Sequence, residues 1–278
     1  MDTIRDLTQY KELIRETKRR FGKVDQNSIL MSGAVEKYIK NGHLFFREYE
    51  HGTVFWIEEG RYYKLYYYWM PGAALDDFRC EKPVVIEELD NHGTRSDYIS
   101  RFTPTLEAAG FRLYKTNQQV ELNPSDPSLG LEERFSAEEA RMAMEGLHFH
   151  YDDGSHMPQA SALWKAHLDL ADVPLDHTVL GPDDTLLCVL DGSGSVAATH
   201  WWRHTGKSSE GRHTVTHPDY YRRGLASAML CAWCLDAKQR GIRKASTWIS
   251  TTNFRSLALY QKVGFTPNGR VSRQYILS

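Results

Sequence analysis

The chain has 278 residues, 41% of them hydrophobic and 25% charged, with a formal net charge of −2. That length allows two domains with real cores, and the absence of a basic surplus argues against nucleic acid as a partner. Its apolar runs are far shorter than the roughly 20 residues a bilayer span needs, the start MDTIRDLTQYKELIRE lacks a signal-peptide apolar region, and four cysteines make no disulfide framework, so a soluble cytoplasmic protein is expected.

Helical patterns cover residues 4–21 and 29–40. Strand-like runs follow at 43–48, 53–58 and 62–70, the last two joined by Glu59-Gly60-Arg61, a hairpin signal. The run Tyr62-Tyr63-Lys64-Leu65-Tyr66-Tyr67-Tyr68-Trp69 reads as a strand packed on at least one face, with ligand stacking as the lesser reading. Residues 82–87 form a buried-strand pattern, and a helix over 97–109 stops at Gly110. A hairpin is expected around Lys115-Thr116-Asn117, and NPSDPSLG (123–130) is the clearest linker signal.

The second half repeats this order. A short strand over 131–135 is expected, then a helix opened by the capping box Ser136-Ala-Glu-Glu139. A polar segment, HFHYDDGSHMP (148–158), leads to a helix near 159–170. His148, His150, Asp152, Asp153 and His156 resemble metal ligands, but their spacing matches no closed site, so no metal is expected. Strands at 185–190 and 195–204 flank Asp-Gly-Ser-Gly, and a strand at 212–216 runs into THPDYYRRGLA. A helix follows over 224–240, stopped by Gly241, then a strand at 245–250, a helix at 253–263 and two short strands. Cys231-Ala-Trp-Cys234 has CxxC spacing but lies inside the helical pattern with no second ligand pair, and reads as packing.

Thr105-Leu-Glu-Ala-Ala-Gly-Phe111 and Leu259-Tyr-Gln-Lys-Val-Gly-Phe265 share a helix end, Gly-Phe, followed by a strand. The halves therefore read as diverged copies of one αβ unit. Nothing like YYRRGLA occurs in the first copy. In the second, the first turn of a helix starting at Gly224 leaves N–H groups without intrahelical partners, the dipole adds partial positive charge, and Arg222 and Arg223 stand beside it. Such an end suits a phosphate.

With Asn253, Tyr260, Lys262, Gly264 and Phe265 downstream, and Ala258 at a small-residue position, the second half resembles the GNAT family of acyl-CoA-dependent N-acetyltransferases. Gly224 and Ala226 match the last fixed positions of that family's Arg/Gln-x-x-Gly-x-Gly/Ala loop, while Tyr221 stands where Arg or Gln is usual. The resemblance implies an α/β fold (α+β in some schemes) of tandem GNAT-like domains, each a mixed, mostly antiparallel sheet flanked by helices. It divides the chain into 1–123, a degenerate and non-catalytic domain, a linker at 124–130, and 131–278, the acetyltransferase domain.

Acetyl-CoA, as co-substrate, would lie in a V between residues 212–216 and 245–250. Its pantetheine would pair with the backbone of Thr214, Val215 and Thr216 and meet Asn253. Its pyrophosphate would sit on Tyr221, Arg222, Arg223, Gly224, Leu225 and Ala226. A primary amine of a small molecule would attack directly, with Tyr260 as general acid for the leaving thiolate. Glu210 and His213 are the leading candidates for the base, with His200 and His204 also in view; alternation puts His200, Trp202 and His204 on one face and Trp201 and Arg203 on the other. The segment 148–158 would line the acceptor side. Leu106 falls where the first copy would need the tyrosine. The alternative reading is a non-catalytic acyl-CoA sensor or interaction module. Expected partners are an acyl-CoA and a small amine, with no nucleic acid or membrane, in a monomer or homodimer.

Overall fold

The computed structural model describes residues 1–27, 30, 32–90, 96–172 and 180–278, with backbone alone at 96–101. The first elements are β1 (Asp2–Thr3), α1 (Leu7–Phe21), β2 (Asp25–Gln26), α2 (Ser32–Lys40), β3 (Leu44–Tyr49), β4 (Gly52–Glu58), β5 (Tyr63–Trp69) and β6 (Val84–Asp90). Next come α3 (Ser96–Ala108), β7 (Arg112–Leu122), α4 (Leu131–Met144), β8 (His148–Tyr151), α5 (Met157–His167), β9 (Asp184–Leu190) and β10 (Val196–Thr205). The chain continues through β11 (Ser208–Thr216), α6 (Leu225–Gln239), β12 (Lys244–Ser250), α7 (Phe254–Val263) and β13 (Thr266–Leu277). No described helix is long and apolar enough to cross a membrane.

The chain divides into two compact units, Met1–Thr116 with Arg270–Ser278, and Asn117–Gly269. The boundary expected at 124–130 is displaced because hydrogen bonding, not turn composition, sets it. Residues 117–122 pair with β12, from Asn117↔Ser250 to Leu122↔Ala245, so they belong to the second unit. Residues 271–277 pair with β6 in the first unit, and the proline-rich segment is a single 3-10 turn at Pro127–Leu129.

Three further expectations are corrected. Residues 131–135 are the first turn of α4: Gly130 adopts a left-handed conformation there, and Glu132 and Glu133 suit the positive end of a helix. Lys115-Thr116-Asn117 makes no hairpin, since it offers none of the glycine that tight turns need, and β7 runs straight through it. The chain's end is the one strand β13.

In the first unit, β3, β4 and β5 pair antiparallel, and β5 pairs parallel with β6 only from Tyr63↔Val84 to Leu65↔Ile86. Beyond Leu65 the free side of β5 is taken by β2, with Asp25↔Trp69 and Gln26↔Tyr68. Asn27 completes the closure. It is buried, its amide donates to the carbonyls of Leu65 (2.9 Å) and Glu87 (3.2 Å), and its oxygen accepts from Tyr67 N–H (2.9 Å). The aromatic strand is core, as its composition suggested: Leu65, Tyr67 and Trp69 join Val54, Phe78, Phe102 and Leu106 on one side, and Tyr66 and Tyr68 join Tyr10 and Phe55 on the other.

In the second unit the sheet order is β7-β12-β11-β10-β9-β8. One face carries α6, apolar almost all round, packed with Trp202, Ile249, Tyr260 and Phe265. The opposite face carries α5, through Ala160, Leu163 and Trp164 on Cys188, Trp201 and Val215. Cys231 and Cys234 are buried and unpaired in α6, and burial pushes both thiols up, which fits packing rather than chemistry.

Candidate active site

The repeated Gly-Phe element is the same structure twice. Phe111 N–H donates to Leu106 O (3.0 Å) and Gly110 N–H to Glu107 O (2.9 Å); Phe265 N–H donates to Tyr260 O (3.0 Å) and Gly264 N–H to Gln261 O (3.0 Å). These are the paired closures of a helix C-terminus with glycine at positive φ. Leu106 is fully buried among apolar side chains where its counterpart is Tyr260.

Parallel pairing of β11 with β12 runs from Ser208↔Lys244 to Gly211↔Thr247 and ends there. The parting is built in. Register on the β10 side slips between Trp201 and Trp202, so that Trp202 pairs with Gly211 and Trp201 with His213, leaving Arg212 as an extra residue. Such a bulge bends its strand. Thr247 Oγ1 donates to Gly211 O (2.8 Å), fixing the point where the ladder stops. No side chain fits at position 211, because an added Cβ would lie 2.8 Å from Trp233.

Tyr260 stands at this opening, 5% exposed. Its hydroxyl lies 3.1 Å from Thr214 Oγ1, which lies 2.8 Å from His200 Nδ1. Burial pushes the Tyr260 phenol up to about 12, against the lowering effect of Thr214 and Thr247. Burial likewise pushes His200 down to about 3, so its imidazole is neutral. His200 packs against Trp202 and Trp233, with ring centroids at 5.3 and 5.1 Å.

Among the candidate bases, His200 is enclosed and occupied by Thr214, and His204 is held by Asp236 at 2.8 Å under α6. His213 and Glu210 remain at the opening. His213 lies between Trp201 (5.4 Å) and Trp164 (5.8 Å) on the α5 face, and Glu210 is paired with Arg212 at 3.3 Å. Register places Thr214 opposite His200 and His213 opposite Trp201, so Tyr260 and His213 approach the gap from opposite faces of the sheet.

The loop after β11 passes through a 3-10 turn at Pro218–Tyr220 into α6. Arg222 (φ 63°) and Gly224 (φ 68°) are both left-handed, and no side chain caps α6. The N–H groups of Leu225 and Ala226 therefore belong to an uncapped first turn. Tyr221 is 49% exposed, so it contributes backbone to the loop and little packing. Asn253 caps α7, its side-chain oxygen accepting from Ser256 N–H (3.1 Å). Val215 points into the α5-side core and leaves only its backbone for a ligand.

One support escaped sequence reasoning. Arg141 of α4 donates to the carbonyl of Arg223, and ties to Glu138 (2.7 Å) and Glu145 (3.2 Å), while Arg223 pairs with Glu145 (3.5 Å). A Cβ on Gly224 would fall 2.3 Å from Arg141 Nη2 and 2.7 Å from Glu138 Oε2. The spacing of Arg141 from Glu138 (three residues) and from Glu145 (four residues) was visible as a helix-surface ion-pair pattern, but nothing in it named the carbonyl of Arg223. Tyr220 O–H donates to Asp191 (2.6 Å), fastening the loop to the β9–β10 hairpin.

A half-parted parallel pair beside an uncapped helix, in a mixed sheet with helices on both faces, defines an α/β fold of the acyltransferase type. Residues 182–267 match the acetyltransferase (GNAT) domain family. A mycothiol acetyltransferase from Clavibacter michiganensis subsp. michiganensis is 32% identical over 80 residues, which is 29% of this chain and 26% of that one. The chain thus spans about a quarter of the length of the curated relatives it matches. Among solved structures, a GCN5-related N-acetyltransferase from Kribbella flavida is similar with TM-score 0.51 and 13% identity, over 83% of this chain and 89% of that one. Another, from Sphaerobacter thermophilus, gives TM-score 0.50 and 11% identity over 96% and 90%. The fold is that of tandem GNAT-like units.

Proposed function

We propose that the second unit transfers an acetyl or short acyl group from acyl-CoA to a primary amine of a small molecule. The observation that carries this reading is the parting of β11 and β12 at Gly211–Thr247, with Tyr260 at its inner end and the uncapped α6 at its outer end. The residues present fit a CoA thioester: Thr214–Thr216 offer an extended backbone edge, and the turn through Arg222, Gly224 and Ala226 offers amides and positive charge. Asn253, already capping α7, would meet the pantetheine arm.

Bound acyl-CoA supplies an activated carbonyl, so no protein nucleophile is needed. Tyr260 keeps its proton throughout the neutral range and offers it as a hydrogen bond to the departing sulfur. Full transfer to a thiolate of ordinary thiol pKa runs uphill by about 3.5 units, roughly 5 kcal/mol. Tyr260 is therefore chiefly a donor that stabilises charge, and the proton completing the thiol comes from the amine. With its proton on Nδ1, His200 orders the chain His200 to Thr214 to Tyr260 and leaves the phenol proton aimed into the gap. His213 or Glu210 takes the other proton, the one the ammonium form loses before attack, from the α5 face.

The first unit is proposed to be a non-catalytic partner. The equivalent opening beside β5 is filled by the chain's own Asp25–Asn27, and Leu106 replaces the tyrosine.

The test is CoA release from acetyl-CoA with a panel of primary amines, together with calorimetric CoA binding. Tyr260→Phe should lower turnover by about 10²-fold or more while leaving CoA affinity near wild type. Unchanged turnover removes Tyr260 from the chemistry. CoA binding without release for any amine favours the sensor reading, and no binding at all overturns both.

A further inference from the structure

The segment 148–156 is not a loose loop. Its first half is the edge strand β8, paired with β9 from His148↔Leu190 to Tyr151↔Leu187. Its second half is a tight turn organised by Asp152. That carboxylate is completely buried, and its oxygens accept from Gly154 N–H (3.0 Å) and His156 N–H (2.9 Å). Strand alternation turns Phe149 and Tyr151 toward Phe135 and Trp202, leaving His150 on the α5 side. His156 precedes the first turn of α5 and comes back to the same point.

We propose that His150, Asp152 and His156 form a binding site for a zinc-class divalent cation. One ligand atom from each lies within 4.8 Å of the others. His156 Nδ1 is 3.1 Å from Asp152 Oδ1, and His150 Nε2 is 3.9 Å from the same oxygen. Three ligands at ordinary zinc distances, about 2.0–2.1 Å, stand roughly 3.4 Å apart in a tetrahedral arrangement. Those two separations bracket that figure, and the third pair lies within 4.8 Å.

Two features point to a ligand rather than to a turn that merely satisfies itself. His150 Nε2 is shielded from solvent and has no hydrogen-bond partner, an unfavourable arrangement that a metal bond would relieve. Asp152 is held by backbone amides, as carboxylate ligands are held in metal sites: Oδ2 accepts from Gly154 N–H and has a further lone pair, while Oδ1 accepts from His156 N–H and also meets Ser155 Oγ (3.4 Å) and His156 Nδ1 (3.1 Å). Binding displaces the proton shared between His156 Nδ1 and Asp152, leaving that imidazole protonated at Nε2. Two neutral imidazoles and one carboxylate suit zinc and its late first-row neighbours rather than magnesium or calcium. The neighbours do not join: His148 is exposed, and Asp153 caps Ser155 N–H (3.0 Å).

The cation would pin the sheet's edge strand to the start of α5. That helix carries Trp164, which bonds Thr199 (2.9 Å) and stacks on Trp201 (5.7 Å), so the pin bears on the α5 side of the opening. The proposal stands independently of the acyl-transfer reading and departs from the expectation of no metal.

The full chain, free of any affinity tag and stripped with chelator, is titrated with Zn²⁺ against a chromogenic zinc indicator and by calorimetry. One saturable site is expected, with a melting temperature that rises with zinc concentration. His150→Gln and His156→Gln should each weaken binding by more than about 10-fold, with unchanged circular dichroism, while His148→Gln leaves it intact. Absence of saturable one-to-one binding, binding that survives both substitutions, or an equal loss in His148→Gln would overturn the proposal. Asp152→Asn is a weaker test because Asp152 also holds the turn.

Discussion

Gly224→Ala probes the proposed anion loop at its tightest point. The substitution forces a residue with a side chain into φ 68°, which costs about 1–2 kcal/mol. The new methyl would lie 2.3 Å from Arg141 Nη2, so Arg141 must swing away and release the Arg223 carbonyl, Glu138 and Glu145. Arg141 is about one-third exposed (35%), so those ties contribute only about 1 kcal/mol together. The expected loss of stability is therefore about 2–3 kcal/mol by urea unfolding. Gly146→Ala is the matched control: φ is 71° and no heavy atom lies within 4 Å of the added Cβ, so only the backbone cost applies. A loop that relaxes to escape this strain must be re-strained to take a diphosphate, so CoA affinity measured by calorimetry should fall about 10-fold or more in Gly224→Ala and stay unchanged in Gly146→Ala. Adding Arg141→Ala to Gly224→Ala should return the steric part, a coupling that a double-mutant cycle reads directly. Equal stability of the two glycine variants with undiminished CoA affinity would refute the placement of the anion loop.

Two pH effects of opposite sign follow from buried groups. His200 resists protonation down to about 3, whereas the unfolded chain takes up that proton near 6.5; between these values the unfolded state holds more protons, and stability falls with falling pH by up to about 1.4 kcal/mol per unit. His200→Gln should flatten that slope in denaturation curves from pH 4 to 7, and an unchanged slope refutes the burial argument. Burial pushes Glu88 up to about 8, its carboxyl bonded to Tyr67, so the unfolded chain loses the proton first and stability falls as pH rises from 4.5 to 8. Glu88→Gln should leave stability at pH 4.5 nearly unchanged and raise it at pH 8 by an amount on the order of a few kcal/mol; equal gains at both values would show that Glu88 is already ionised in the fold.

The elements of the second unit were legible because their signals are local. A strand, a glycine-bearing turn and a helix follow in direct succession, and the Gly-Phe closure reports the helix that carries Tyr260. What eluded sequence reading depended on distant pairing. Nothing in Asp25-Gln26-Asn27 says that it will lie along β5, since a two-residue strand has no period of its own. Residues 112–122 carried strand composition but no mark of whether they would fold back on themselves, and only Asn117↔Ser250 pairing settles it. His150, Asp152 and His156 looked like a polar loop because strand edges and turn centres share that composition; the convergence comes from β8 and α5 meeting in space. Arg141 was hidden for the same reason, its target being a main-chain oxygen 82 residues away.

The exchange of strands at residues 116/117 and 269/270 bears on how such a chain could have been assembled over time. Severed at its proline-rich turn, the polypeptide would yield a front piece whose β6 has lost its neighbour and a rear piece whose β12 has lost one too. Neither half can be traded into another gene at that junction without leaving an unmated sheet edge.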